Sequence, residues 1–345
     1  MLYVTTRSDR DAVTIYRALT CDLGPDGGQL VPMQVPFFGE EALAALASRS
    51  FNENVAYILS LLFRKNLTGR DIDLVTGKRS VNLLDVNSRT MAAETWRNLD
   101  CDFGGYGDRL FRLLVREPEA KPGQWFTMSV RIAVIFAVFG ELMARGIVSA
   151  DAPLDIAVPS LDFQYPMAAW YARSWGLPIG TIICACNENN APWCLIHQGD
   201  MRTDVPVRHT LTAACDQALP GGLERLIHAV LGTEEARRYA AAAAEGKLYT
   251  MEPEQQTRLR AGISVSVVSQ RRMAFMIPNL FRSGSWKPDL YAAMAYTGLV
   301  DHRAAPGDTG KALVISEENP VYSAGLLSAY LGMSADEVAG MLEKG

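Results

Sequence analysis

Apolar positions recur along this chain with two different spacings, and the change between them predicts the order of helices and strands. A period of about 3.6 residues predicts a helix, and a short apolar run bounded by turn residues predicts a buried strand. The predicted strands are 2–5, 29–32, 154–159, 179–185 and 312–316. The predicted helices are 11–19, 40–47, 52–64, 108–115, 128–145, 167–175, 222–232, 233–245 and 254–260, with a pair at the C-terminal end. Apart from 108–115, residues 68–122 have no regular pattern.

The middle of the chain gives the clearest indication of fold class. Strand 154–159, helix 167–175 and strand 179–185 follow one another as a strand–helix–strand unit. Such a unit forms a right-handed crossover between parallel strands. The expected fold is therefore α/β with a parallel sheet. The length of 345 residues with 49% hydrophobic side chains allows one large core or two moderate ones.

Composition and charge indicate which kinds of partner and which cellular compartment to expect. Lys and Arg number 33 against 38 Asp and Glu, a net charge of −5, so neither nucleic acid nor an anionic membrane is an expected partner. The apolar stretch 130–143 is interrupted by Arg131 and Glu141, which predicts a buried helix and no membrane span. The first residues lack the pattern of a signal peptide, and a cytoplasmic location is expected.

The six cysteines and four histidines do not predict a metal site. Cys184 and Cys186 form a C-x-C on a predicted strand, which turns both thiols to one face. Zinc and redox sites favour C-x-x-C pairs or histidines in register, and neither occurs. Buried, reduced cysteines are the expected outcome.

Two glycine-rich segments suggest phosphate binding and are ambiguous. The segment 307–311 reads Gly-Asp-Thr-Gly-Lys, but Ala305 and Ala312 replace the residues that a Walker A loop requires, so a solvated turn is predicted. The glycines at 104, 105 and 107 precede helix 108–115 and fit either a tight turn or amide donors for an anion. Asp108 is expected to cap that helix.

A series of short motifs, in order, resembles the threonine synthase family. The first is Val4-Thr5-Thr6-Arg7 followed by Gly24-Pro25-Asp26-Gly27-Gly28-Gln29-Leu30-Val31-Pro32. Later matches are Met128-Ser129-Val130-Arg131, Val158-Pro159-Ser160, Gly176-Leu177-Pro178-Ile179, Asn187-Glu188-Asn189-Asn190, Thr210-Leu211-Thr212, Asp216, Glu224-Arg225-Leu226, Val314-Ile315-Ser316 and Pro320. They follow the family's order over roughly two-thirds of the chain. The resemblance implies a fold-type II pyridoxal-phosphate (PLP) fold of the tryptophan synthase β type.

The family converts O-phosphohomoserine and water to threonine, and that chemistry needs a Schiff-base lysine. The segment most similar to the family's lysine motif is Leu99-Asp100-Cys101-Asp102-Phe103-Gly104. Cys101 stands where the lysine is expected, and a thiol cannot form an imine. The resemblance therefore predicts that the Schiff-base lysine is absent.

Two further cofactor positions depart from the family. The phosphate loop becomes Ser160-Leu161-Asp162-Phe163-Gln164, in which both family glycines are replaced and Asp162 adds a negative charge. Glu317 stands where the family has the hydroxyl that faces the pyridine nitrogen. Taken together, the resemblance predicts that PLP is not bound in the family manner, and no cofactor is expected.

A small domain of the family, the lobe that closes over substrate, is expected to be largely missing. The predicted regions are an N-terminal threonine-synthase-like region (1–97), a remnant of the cofactor segment with a linker (98–127), and the large α/β lobe with C-terminal helices (128–345). Residues 117–123 form the predicted linker. A chain without that lobe is expected to cover its apolar surface by pairing with itself or with another protein.

Three functions remain open. The first is a pseudoenzyme, a scaffold or binding subunit without PLP catalysis. The second is a repurposed enzyme that uses acids and a thiol gathered in the old cleft, for which the candidates are Cys101, Asp102, Asp162 and Glu317. The third is an active threonine synthase, which requires a lysine that the resemblance does not supply. The aromatic residues at 170, 171, 175 and 193 are expected to pack in the core, with an interface role as the alternative.

Overall fold

The computed structural model describes residues 2–34, 36–149, 151–284, 286–304 and 310–343. The strands are β1 (Tyr3–Thr5), β2 (Ser8–Val13), β3 (Leu30–Pro32), β4 (Asn82–Asn87), β5 (Thr90–Glu94), β6 (Leu154–Pro159), β7 (Ile179–Cys186), β8 (Asp200–Met201), β9 (Tyr249–Thr250), β10 (Ile263–Val267) and β11 (Ala312–Ser316).

The helices alternate with these strands over most of the chain. They are α1 (Ile15–Thr20), α2 (Glu40–Ala47), α3 (Phe51–Phe63), α4 (Gly69–Thr76), α5 (Phe103–Leu114), α6 (Gln124–Ala144), α7 (Gln164–Ser174), α8 (Ala191–Trp193), α9 (Gly222–Leu231), α10 (Thr233–Ala244), α11 (Pro253–Arg260), α12 (Gln270–Ser283), α13 (Leu290–His302), α14 (Ala324–Leu331) and α15 (Ala335–Glu343).

The large sheet confirms the predicted α/β class. Its strand order is β10-β7-β6-β11-β5-β4, and the first five strands are parallel to one another. Edge strand β4 is antiparallel to β5, so the sheet is mixed and mostly parallel. A small antiparallel sheet, β2-β1-β3, lies near the N-terminus. Because β11 is inserted between β5 and β6, the C-terminal strand occupies a central position.

Helices cover both faces of the large sheet. Along β7, Cys184 and Cys186 contribute to one hydrophobic cluster while Ile183 and Ala185 contribute to the other, as the period of two in a strand requires. The prediction that both thiols point to one face is confirmed. Gly298 of α13 lies against Ala185, where an added Cβ would approach that side chain to 2.8 Å.

Helix α6 is the centre of the first cluster. It is apolar on all sides, contacts α2, α3 and α7, and is 78% buried over its most apolar window. By length and composition it is the one described helix that could cross a membrane, but burial of this extent is typical of a core helix. The predicted buried helix is confirmed, and it begins four residues earlier than the pattern indicated, at Gln124.

Two predictions of secondary structure are wrong. Residues 11–19 are not one helix, because β2 continues to Val13 and α1 begins after Thr14, whose side chain caps it. Residues 68–122 are not irregular, since they contain α4, β4, β5 and α5. The sequence pattern missed β5 because its alanines have low strand propensity and its burial comes from neighbours distant in sequence.

The glycine cluster also differs from its prediction. The glycines at 104, 105 and 107 lie inside α5 and do not form a tight turn. The cap is Asp102, which accepts a hydrogen bond from the Gly105 amide at 2.7 Å, and the expected capping residue Asp108 lies in the second turn. Between α5 and α6 only residues 115–123 intervene, without helix or strand. The division into three regions stays a prediction. Of the second glycine segment, 307–311, residues 307–309 lie outside the described residues.

Candidate functional site

A small cavity opens at the carboxyl edge of the large sheet, where open parallel sheets hold their ligands. Strands β6 and β11 end there at Pro159 and Ser316, and α13 begins beside them. The cavity has a volume of about 160 Å³. Its polar lining side chains are Arg131, Tyr165, Asp289, Tyr291, Glu317 and Glu318.

A buried ion pair joins α6 to the end of β11. Arg131 Nη2 lies 2.9 Å from Glu317 Oε1, and Arg131 Nε lies 3.2 Å from Oε2. The two side chains are only 12% and 9% exposed. The guanidinium carbon lies 4.8 Å from the ring centre of Phe103 and 5.4 Å from that of Tyr165, within range of cation–π contact. The Arg131 guanidinium therefore already contacts Glu317 and two aromatic rings.

Glu318 lies beside this pair and is not neutralised by it. Its Oε1 accepts a hydrogen bond from the Phe103 amide at 3.1 Å, while its Oε2 is buried with no partner among the described residues. Burial, reinforced by the charges of Glu317 and Asp289, raises the pKa of Glu318 to about 8. Near neutral pH this carboxyl is therefore mostly protonated.

Asp289 is the third acid of the cavity, and its oxygens are occupied. Oδ1 caps α13 by accepting from the amides of Tyr291 and Ala292, both at 2.9 Å. Oδ2 accepts from the Ser316 hydroxyl at 2.7 Å. Burial raises the pKa of Asp289 to about 6 despite these bonds. Its position is consequently fixed by the fold.

Tyr165 of α7 contributes a hydroxyl that has no hydrogen-bond partner among the described residues. The residue is 1% exposed, and burial raises the pKa of its phenol well above the usual value. An unpartnered buried hydroxyl costs free energy, about 1–3 kcal/mol. The cavity thus holds two unsatisfied polar atoms, Tyr165 Oη and Glu318 Oε2.

Of the four acid and thiol candidates, the structure places only Glu317 in this cavity. Asp102 is exposed and caps α5, and Cys101 packs half-buried against Gly105. Burial raises the pKa of the Cys101 thiol, and the positive charge of Arg109 offsets only part of that rise. Both residues lie next to Phe103, which touches Arg131 and Glu318, but neither lines the cavity.

The loop that corresponds to the phosphate loop, residues 160–164, joins β6 to α7 by an unusual backbone path. Leu161, Asp162 and Phe163 all have positive φ, at 39°, 58° and 59°. These are values that favour glycine. Ser160 is buried, Gln164 is half-buried at the start of α7, and Leu161 lines the cavity.

Asp162 is turned away from the cavity. Its Oδ1 accepts a hydrogen bond from the Gly221 amide at 2.6 Å, ahead of α9. Burial raises the pKa of Asp162, and the Gly221 bond opposes that rise. The side chain therefore ties the loop to α9.

Residues that the sequence motifs did not single out as functional complete the cavity. Glu318, Tyr165 and Arg131 each stand within or next to a family-like motif, yet only the fold brings them together. The one indication in the sequence was the acid pair that directly follows the apolar strand β11. Asp289 had no such indication. No group of three or more His, Cys, Asp or Glu side chains in the described ranges is arranged to hold a metal ion.

This architecture is that of an α/β protein with a cavity at the carboxyl edge of a mostly parallel sheet, and known proteins resemble it in both sequence and fold. Residues 2–78 match the family described as threonine synthase N terminus. The proteins named threonine synthase-like 1 of Homo sapiens and Pongo abelii are 27% identical over 131 residues. That match covers 37% of this chain and 17% of each relative, so it spans less than a fifth of their length.

Solved structures share the whole fold at low identity. The PLP-bound threonine synthase from Brucella melitensis superposes with a TM-score of 0.82 at 15% identity, over 99% of this chain and 94% of that one. The yeast threonine synthase gives 0.79 at 15% identity, over 96% and 90%. The resemblance to the threonine synthase family is thus confirmed: the N-terminal region matches the family model, and the fold is that of the solved threonine synthases.

Proposed function

We propose that this chain is a cytoplasmic threonine synthase-like protein that has lost PLP catalysis and serves as a scaffold or binding subunit. The observation that carries this proposal is the buried Arg131–Glu317 pair. By the resemblance, Glu317 stands where the family has the hydroxyl that faces the pyridine nitrogen, and Arg131 lies in the segment that takes the place of the family's Asn-Ser-Ile-Asn helix. Here the two side chains bond to each other, and separating them to admit a ring would leave buried charges unpaired.

The lysines also do not fit a Schiff base. No lysine in the described ranges lines the cavity. Lys287 is half-buried, and its ammonium donates to the Met341 carbonyl at 3.2 Å. The other described lysines, Lys65, Lys78, Lys121, Lys247 and Lys311, are exposed.

The former phosphate loop supplies a carboxylate in place of donors. Asp162 occupies the Gly221 amide, a group that would otherwise be available to an anion. A phosphate dianion at this loop would meet the partly buried Asp162 charge, a repulsion of a few kcal/mol. The residues present therefore do not fit PLP bound in the family manner.

The test is to purify the full chain with PLP present, record its visible spectrum, and treat it with borohydride. We expect no imine band and no reducible adduct on the cavity residues. A borohydride-trapped pyridoxyl group, located by mass spectrometry, contradicts the proposal. If that group sits on a lysine and threonine forms from O-phosphohomoserine, the chain is an active threonine synthase.

A repurposed enzyme is the second candidate, and Glu318 is the observation in its favour. A carboxyl with a pKa of about 8 beside a buried phenol has the character of a general acid at neutral pH. This candidate makes Glu318 the proton donor and Glu317 with Arg131 the fixed charges. A turnover lost in Glu318→Gln but kept in Cys101→Ser is the result that selects it.

A partner is part of the main proposal. An apolar groove with a volume of about 560 Å³ is lined by Leu2, Met33, Pro36 and Leu61, and Phe37 nearby is 79% exposed. Apolar surface of this kind is typical of protein contacts. Light scattering during size exclusion is expected to give a mass above one chain. A Phe37→Ser variant is expected to shift that mass toward the monomer.

A further inference from the structure

We propose that the cavity between α6, α13 and the end of β11 binds a small organic cation with a primary ammonium group, held by Glu318 Oε2 and Tyr165 Oη. The inference rests on the proposed loss of PLP, because a pyridine ring in this space would exclude such a ligand. It names the class of ligand that the binding protein takes.

The charges around the cavity favour a cation. One guanidinium, that of Arg131, faces the carboxyl groups of Glu317, Glu318 and Asp289. Arg131 neutralises Glu317 alone, and Asp102 adds a further negative charge from the start of α5. A ligand with its own carboxylate would be repelled, whereas an ammonium ion restores neutrality.

The unused hydrogen-bonding atoms show where the ammonium sits. Asp289 has both oxygens engaged by the backbone of α13 and by Ser316. Glu318 has one engaged oxygen and one free, Oε2. An ammonium group has three donors and no acceptor, which suits two acceptor oxygens that line one cavity.

Tyr165 is independent support for a ligand. Its side chain, on α7, is 99% buried, and its hydroxyl has no hydrogen-bond partner among the described residues. Buried hydroxyls in native proteins are nearly always bonded to protein, water or ligand. An ammonium N–H that donates to the Tyr165 hydroxyl oxygen therefore completes this wall.

The geometry and volume of the cavity disfavour two other classes of ligand, metal ions and large ring systems. The carboxyl groups do not converge as a metal-binding set among the described residues, so a metal ion is disfavoured. The volume of about 160 Å³ corresponds to roughly five water molecules. A chain of three carbons with one ammonium group fits that space, while a larger ring system does not.

Titration calorimetry with n-propylammonium, measured on the full chain at pH 7 and pH 9, tests the proposal. We expect saturable binding at both pH values, tighter at pH 9. Binding at pH 7 should release about one proton, because the pKa of Glu318 is about 8 and the cation favours its ionised form. Repeating the titration in two buffers of different ionisation enthalpy measures that release. The matched ligands 1-propanol and propionate should not bind.

Three variants locate the site. Glu318→Gln keeps the Phe103 bond and removes the charge, and it should weaken propylammonium binding about ten-fold or more and abolish proton release. Tyr165→Phe should weaken binding about five-fold. Glu234→Gln, an exposed acid on α10, is the control and should bind like the native chain.

Two results overturn the inference. One is the absence of propylammonium binding at either pH in a colourless protein, and the other is binding that Glu318→Gln leaves unchanged. A borohydride-reducible imine band in the same preparation instead overturns the proposed function. The two failures are therefore distinguishable.

Discussion

Two polar clusters lie on the same edge of the large sheet and differ in how fully they bond. At the end of β7, the buried Asn187 amide nitrogen lies 2.6 Å from Asp216 Oδ1 and 3.0 Å from Thr212 Oγ1. The side-chain oxygen of Asn187 accepts a hydrogen bond from the backbone amide of Asn189 at 3.0 Å, and the Thr210 hydroxyl donates to Asp216 Oδ1. At the end of β11, by contrast, Tyr165 and Glu318 keep unpartnered atoms.

The difference separates contacts that hold the fold from atoms available to a ligand. The motifs that carry the family resemblance bond mainly to one another. Asn187 bonds to Thr210 and Thr212. Thr6 and Arg7 bond to Glu224, the latter through a salt bridge at 2.9 Å. The residues of these motifs therefore lock segments together that are distant along the chain.

The largest expected effect comes from breaking the ion pair of the cavity. Arg131→Met leaves Glu317 buried and unpaired, and the free energy of unfolding should fall by about 3–5 kcal/mol. Urea denaturation at pH 7 measures it. Arg145→Met, at the exposed end of the same helix, is the control and should cost less than about 1 kcal/mol.

The double variant Arg131→Met, Glu317→Leu sharpens this result, because it removes both charges. It should recover most of the lost stability. A single variant that loses less than the Arg145 control means that the pair does not stabilise the fold.

The cluster at β7 should respond to a smaller deletion. Asn187→Ala removes the amide that joins Thr212 to Asp216, and the free energy of unfolding should fall by about 2 kcal/mol. Asn190→Ala, three residues further on and exposed, should stay within about 0.5 kcal/mol. Propylammonium binding should be unaffected in both, and a loss of binding in Asn187→Ala would join the two clusters functionally.

Glu318 should make the stability of the folded chain depend on pH. The pKa of Glu318 is raised by burial to about 8, above its unfolded value near 4.3, so the folded state is penalised as pH rises through that interval. Glu318→Gln removes the penalty. It should match the native chain near pH 4 and be more stable by about 1–2 kcal/mol at pH 9, after allowance for partial exposure. Denaturation midpoints at the two pH values check this, and an equal gap at both contradicts it.

The smallest expected effect is at Cys101. Burial raises the pKa of its thiol, so alkylation at pH 7 should be slow, and Cys101→Ser should change stability by less than about 1 kcal/mol. Rapid alkylation of Cys101 in the native chain, or loss of propylammonium binding in Cys101→Ser, would indicate that the thiol belongs to the binding cavity.

Much of the fold could be predicted from the sequence. Strands β6, β7 and β11 and helices α2, α3, α6, α7 and α9 have apolar patterns that match their structural periods. Strand β5 did not, because Ala92 and Ala93 are buried by β11, which lies more than 200 residues away. Local pattern has no access to such pairing.

The cavity was less predictable than the fold. Glu317 was found through its place in a family-like motif, but Asp162, from the same comparison, points to Gly221. The strained turn of Leu161, Asp162 and Phe163 decides that direction, and Leu161 and Phe163 are residue types that do not indicate a positive φ. Asp289 enters the cavity only because it caps α13, which packs on β11.

The position of β11 has a consequence for synthesis on the ribosome. Strands β5 and β6 leave the ribosome long before Ala312, yet both pair with β11 and not with each other. Until residue 316 emerges, the nascent chain carries two open strand edges in its core, the situation in which chains aggregate or recruit chaperones. The same late strand brings in Glu317 and Glu318. The sheet and the charged cavity are therefore completed together, once residue 318 has emerged.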